Sequence, residues 1–225
     1  MRRLAAAALT LISTLAAFPA AQAAGFSAGH DYFLLSPPQN TSVPAGKVEV
    51  MEVFSYGCPA CNTFQPAMQK LRASLPANAQ LVLLPAAFNK AEDWPMFQRS
   101  YFAAQILGVA ERTHQAMFDA VWKTRELATT DGSALKDPQP SLEQAAAWYE
   151  KHSGVKAAEF LPTARSFSVD MKMKAADAQI LAMEVPGTPC IVVNGKYRLN
   201  MDGLTSEGLL GVVKFLIDKE SAHAP

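Results

Sequence analysis

Residues 52–66 read EVFSYGCPACNTFQP. The stretch is the end of KVEVMEVFS (47–55), a β-branched and aromatic run bounded by Gly46 and Gly57, which predicts a strand. Beyond the two cysteines, apolar residues at 64, 67, 68, 71 and 75 lie on one face of a helix that runs to about Leu75. Pro59 stands where a missing N–H costs a helix nothing, so Cys58 falls at the helix N-terminus. Unpaired amides and the positive end of the helix dipole stabilise negative charge there, which lowers a thiol pKa. Cys61 lies one turn further on, on the same face and deeper. Only a thiolate attacks or leaves in disulfide exchange, so this asymmetry predicts an exchanging Cys58 and a resolving Cys61.

Two other uses of a C-x-x-C pair are weaker. A structural zinc site wants four ligands, and His30, His114, His152 and His223 are all solitary, so no metal is expected. A bridge between residues three apart closes too short a loop to constrain much of the unfolded chain.

QLVLLPAAF (80–88) is an uncharged run of strand length that completes a βαβ unit, its second strand reading as buried on both faces. Residues 94–184 then change character. MFQRSYFAAQILG (96–108), THQAMFDAVWKT (113–124), SLEQAAAWYEKHS (141–153) and TARSFSVDMKMKAADAQILAME (163–184) read as four helices with no strand among them. Ser141 followed by Gln144 is a capping box, and TTDGSALKDPQP (129–140) is a polar connection. CIVV (190–193), Asn194-Gly195 and KYRL (196–199) form a hairpin signal, because a type I′ turn needs two residues tolerant of positive φ. A final amphipathic helix is expected from Thr205 to about Lys219.

The start of the chain bears on compartment. Arg2 and Arg3 precede an uncharged apolar stretch, Leu4 to Phe18, and the small-x-small site AQA at 21–23. This pattern predicts a cleaved export signal over residues 1–23 and therefore a periplasmic protein; the apolar stretch is shorter than the roughly 20 residues that span a bilayer. Removing 23 of 225 residues leaves about 202, with 18 basic (20 less Arg2 and Arg3) against 20 acidic. Such a balance offers nothing to nucleic acid or anionic lipid. Half the residues are hydrophobic, which excludes a disordered chain.

Taken together, strand, CPAC, helix and a later X-Pro before a hairpin resemble the thioredoxin fold. The helical block between the βαβ and ββα halves resembles the DsbA family of periplasmic thiol oxidases, on VEVMEVFSYGCPACNTF and GTPCIVVNGKYRLN. The resemblance implies an α/β thioredoxin-like domain, 24–90 and 186–225, interrupted by an inserted helical domain, 91–185. It implies that Pro189 is a cis-proline packed beside the dithiol and that the backbone of Thr188 pairs with extended substrate. Glu52 matches a buried acid beneath the dithiol, a proton partner for Cys61, and Pro66 a helix-kinking proline. Pro59 and Ala60 complete the motif. Its partners would be unfolded exported proteins with free cysteines and a quinone-linked membrane reoxidase similar to DsbB. The redox-active disulfide would need no other cofactor.

Two departures stand out. The family's oxidising prototype has CPHC where this chain has Ala60, which predicts a higher Cys58 pKa and a lower reduction potential than in a CPHC enzyme. The strand 80–88 also lacks the prototype's lysine, which leaves Glu52 without a partner and more often neutral. Cys190 reads as a small buried hydrophobe at the start of a core strand. Among Tyr56, Phe64, Trp94 and the methionines, such as Met171 and Met173, only residues adjoining the dithiol, such as Tyr56, are expected to form an exposed rim for substrate. A reductase or isomerase with the same dithiol is the nearest alternative, and a non-catalytic chaperone or metal-binding module a more distant one.

Overall fold

The computed structural model describes residues 25–222. The expected export signal, 1–23, and His223 lie outside them. The elements are β1 (Tyr32–Leu34), β2 (Val48–Phe54), α1 (Pro59–Ser74), β3 (Ala79–Pro85), α2 (Trp94–Ile106), α3 (Ala110–Trp122), β4 (Thr130–Asp131), β5 (Ala134–Leu135), α4 (Leu142–Ser153), α5 (Ala157–Ala164), α6 (Phe167–Ala182), β6 (Cys190–Val193), β7 (Tyr197–Leu199) and α7 (Ser206–Ser221).

Local chemistry accounts for most boundaries. The Ser141 hydroxyl accepts from the Gln144 amide while the Gln144 side chain accepts from the Ser141 amide, so the capping box starts α4. Thr205 caps α7 through Gly208. Asn194 (φ 51°) and Gly195 (φ 62°) both take positive φ at the β6–β7 turn. A Cβ on Gly195 would also lie 2.1 Å from the Gln39 carbonyl oxygen, so only glycine fits.

Strand order is β1-β7-β6-β2-β3, with β2 parallel to β3 and antiparallel to β6. All seven residues of β2 are buried, because helices cover both sheet faces. Val48 and Val50 pack with Met68 and Leu71 of α1 and with Leu209, Val212 and Val213 of α7. Met51 and Val53 point the other way, into a core shared with α2–α6. The period-two alternation of a strand places Glu52 with Val48 and Val50, on the α1 side.

Several expectations need correction. The single helix expected over 163–184 is two: α5 already begins at Ala157 and tolerates Pro162 inside it, and Ser166 caps α6 by accepting from Val169. The connection 129–140, expected to lack strands, carries the two-residue ribbon β4–β5. The strand after the motif is not buried on both faces throughout. Gln80 is exposed and Leu81 and Val82 are half-buried, since cover is complete only from Leu83 onward.

Candidate active site

Cys58 is the N-cap of α1, and its sulfur accepts from the Cys61 amide at 3.3 Å. The turn that presents it is held by Ser55, which accepts from the Cys58 amide through its carbonyl (3.1 Å) and from the Gly57 amide through its hydroxyl (3.2 Å). Trp122 of α3 donates its indole N–H to the Tyr56 carbonyl at 2.8 Å. Trp94 packs so closely on Gly57 that a Cβ there would meet its Nε1 at 2.5 Å. The helical block thus clamps the catalytic turn with two tryptophans.

Across the sheet, 130 residues away in sequence, the loop before β6 brings the Thr188 carbonyl to 3.3 Å from the Cys58 sulfur. The Thr188–Pro189 bond is cis. Cys58, Cys61 and Cys190 are all reduced; Cys58 retains 4% exposure, and Cys61 none. A Cys61 thiol donating to the Cys58 sulfur is the main reason Cys58 is drawn down to about 6, helped by the Thr188 side chain and the amides of Cys61 and Ala60, against the opposing effect of burial. Burial pushes Cys61 far above the ordinary thiol range. One sulfur is a thiolate at neutral pH and its neighbour holds a proton.

Glu52 is 1% exposed, and burial raises its carboxyl to about 8. The Arg72 guanidinium opposes that rise and the Cys58 charge adds to it. Its Oε1 has no hydrogen-bond partner. Cys190 is 1% exposed at the head of β6, and burial lifts its thiol to about 11, so it is held neutral.

Pro59 occupies the first turn of α1 and Ala60 is exposed beside Cys58. On that side a groove of about 760 Å³ opens, lined among others by Ala60, Phe64, Thr188, Pro189, Arg198 and Met201. Tyr56, expected at an exposed rim, is instead 1% exposed, because its ring packs against Phe54 and Phe118 and its hydroxyl meets His114 Nδ1 at 3.0 Å. Phe64 and Phe33 are the aromatic residues that line the groove. Nothing in the sequence placed Trp94, Trp122 and His114 at the site, since each reaches it from α2 or α3, and Arg72 comes from the far end of α1 itself. Among the described residues, no group of three or more His, Cys, Asp or Glu side chains could hold a metal ion.

A low-pKa thiolate at a helix start, one turn from a protonated thiol and beside a cis-proline, on a β2-α1-β3 and β6-β7-α7 frame, defines a thioredoxin-fold dithiol–disulfide exchange centre. Residues 49–210 match the family model of the DSBA-like thioredoxin domain. Over 207 residues the chain is 35% identical to the thiol:disulfide interchange protein DsbA of Pseudomonas aeruginosa, covering 91% of this chain and 90% of that protein. The corresponding protein of Burkholderia cepacia is 29% identical, with 96% of each chain covered. Among solved structures, the oxidoreductase DsbA of Xylella fastidiosa superposes with a TM-score of 0.76 at 33% identity, over 87% of this chain and 98% of that one. The chain belongs to the DSBA-like thioredoxin family and is a thiol-disulfide oxidoreductase.

Proposed function

We propose that this protein is exported to the periplasm, its signal 1–23 removed, and that it donates the Cys58–Cys61 disulfide to unfolded proteins carrying free cysteines. The observation that supports the direction is Cys58 at the N-cap of α1, its sulfur accepting from the Cys61 amide at 3.3 Å and its thiol drawn down to about 6. A stabilised thiolate makes the dithiol the favoured product of exchange.

A substrate thiolate attacks the Cys58 sulfur, the Cys58–Cys61 bond breaks, and Cys61 leaves with the electron pair. Glu52, neutral up to about pH 8, supplies the proton that the buried Cys61 thiolate requires. A second substrate thiolate then attacks the substrate sulfur of the mixed disulfide, and Cys58 departs as a stable thiolate. Two electrons have passed from the substrate, now a disulfide, to the enzyme, now a dithiol. Thr188 and Pro189 form the ledge on which an extended substrate backbone pairs while the groove beyond Phe64 takes its side chains. Residues 24–90 and 186–225 constitute the exchange domain and 91–185 the insertion that braces its catalytic turn. Reoxidation falls to a quinone-linked membrane partner similar to DsbB. The disulfide itself is the redox group, with no other cofactor.

Alkylation of thiols trapped directly in periplasm, alongside oxidation of a reduced unfolded substrate by the purified protein, tests the direction. A disulfide at steady state and catalysed oxidation that Cys58→Ser abolishes are expected. A free dithiol at steady state would make the protein a reductase or isomerase instead.

A further inference from the structure

Away from the substrate groove, a second cavity of about 380 Å³ opens between α1 and α3 over β2 and β3. Its lining includes Glu52, Gln65, Arg72, Glu111, Arg112 and His114. Three of these side chains are more than nine-tenths buried: Glu52 is 1% exposed, Gln65 4% and His114 7%. Each has one polar atom without a partner, namely Glu52 Oε1, Gln65 Nε2 and His114 Nε2. Three unpartnered polar atoms on side chains that line one cavity mark a place for ordered water, and the volume exceeds the roughly 30 Å³ one water occupies severalfold.

The histidine is oriented from behind. Phe54 and Phe118 pack edge-on against its ring, and Tyr56 Oη lies 3.0 Å from Nδ1. Burial drives the imidazole down to about 3, so the ring is neutral and one nitrogen alone carries hydrogen. If the Tyr56 hydroxyl donates to Nδ1, the hydrogen sits on Nε2, where the cavity offers carboxyl oxygen and water as acceptors. Both buried groups are then satisfied.

We propose that His114 is a positioning residue for Glu52: clamped by Tyr56, it presents Nε2–H to cavity water that in turn solvates the Glu52 carboxylate. The inference rests on the reading of Glu52 as the proton partner of Cys61. His114 does not touch the reacting sulfurs; it governs how readily Glu52 gives up and regains its proton. The other groups facing Glu52 are fixed in the comparison. From α1 come Arg72 and, at its start, Cys58 and Cys61; α3 adds Glu111 and Arg112; β3 and β6 set the apolar Leu83 and Ile191 opposite, and α7 adds apolar side chains.

The test is carboxyl ¹³C NMR of Glu52 in the reduced full-length mature protein, titrated against pH, with imidazole ¹⁵N shifts for His114. The wild-type ring should carry hydrogen on Nε2. In His114→Phe the Glu52 midpoint should rise by about one pH unit, a tenfold change in ionisation. His114→Gln, which keeps a donor, should stay close to wild type. Tyr56→Phe should leave both nitrogens partly protonated, and it keeps the test open if His114→Phe does not fold. A Glu52 midpoint unmoved in His114→Phe, or hydrogen found on Nδ1 in wild type, overturns the proposal. Glu52→Gln, assayed for the pH dependence of Cys61 release, judges the proton-partner reading separately from the NMR result.

Discussion

The Cys58 thiolate should make the reduced protein's stability depend on pH by an amount set by its hydrogen bonds. A cysteine in an unfolded chain titrates near about 8.5. In the reduced fold Cys58 titrates at about 6. The folded value is the lower one, so the stabilisation is fully present above the unfolded value and is lost as pH falls through the folded one. At about 1.4 kcal/mol per pH unit, the drop from about 8.5 to about 6 is worth about 3 kcal/mol above pH 8.5 and close to nothing at pH 5. At pH 7, where Cys58 is ionised in the fold and protonated in the unfolded chain, about 1.4 kcal/mol survives, equal to about 30 mV of reduction potential. Glu52 acts in the opposite sense. Its folded value is raised, so it costs stability increasingly as pH rises from about 4 towards about 8. The assay must therefore take a difference. Urea unfolding of the reduced protein and of Cys58→Ser, from pH 5 to 8.5, should diverge by about 3 kcal/mol across that range, the burial of Glu52, the main cause of its shift, being common to both. Parallel curves would refute the assignment of a stabilised thiolate to Cys58.

Ala60→His should lower the Cys58 pKa and raise the reduction potential, because Ala60 sits exposed in the first turn beside the sulfur, where a polar ring can reach it. Ultraviolet thiolate absorbance checks this, and an unchanged or higher pKa counts against it. Cys190→Ser should retain turnover, and mass spectrometry after alkylation of the native oxidised protein should find Cys190 as a free, unmodified thiol, given its 1% exposure. Gly57→Ala should cost about 1–3 kcal/mol by overpacking and loosen the catalytic turn, because the new methyl lies 2.5 Å from Trp94 Nε1 and the indole must move. Thermal unfolding measures the first effect and exchange rate with a reduced substrate the second; an unshifted midpoint would mean that Trp94 yields freely.

The export pattern falls on residues 1–23, outside the described part, so the compartment rests on the sequence and on the family. Within residues 25–222 the legible features are those that neighbours in the chain decide. Pro59 and a cysteine cap start α1, Ser141 and Gln144 start α4, and Asn194-Gly195 turns β6 into β7, since each depends on backbone groups a few residues apart. The break between α5 and α6 was missed because Ser166, a competent cap, sits within an otherwise unbroken helical pattern. Tyr56 misled for a related reason. An aromatic residue next to a reactive thiol reads equally well as a rim or as core, and only the packing of Phe54, Phe118 and His114 around it sends it inward.

The sequence by itself determined which cysteine stands at the helix N-terminus, because a helix cap is a local construction. Only the tertiary structure decided what that sulfur meets. Thr188 arrives from 130 residues away, Trp94 and Trp122 from the helical insertion, and α3 brings His114 to the cavity beside Glu52. Those contacts follow from how helices cover the two faces of β2, and no spacing along the chain encodes them.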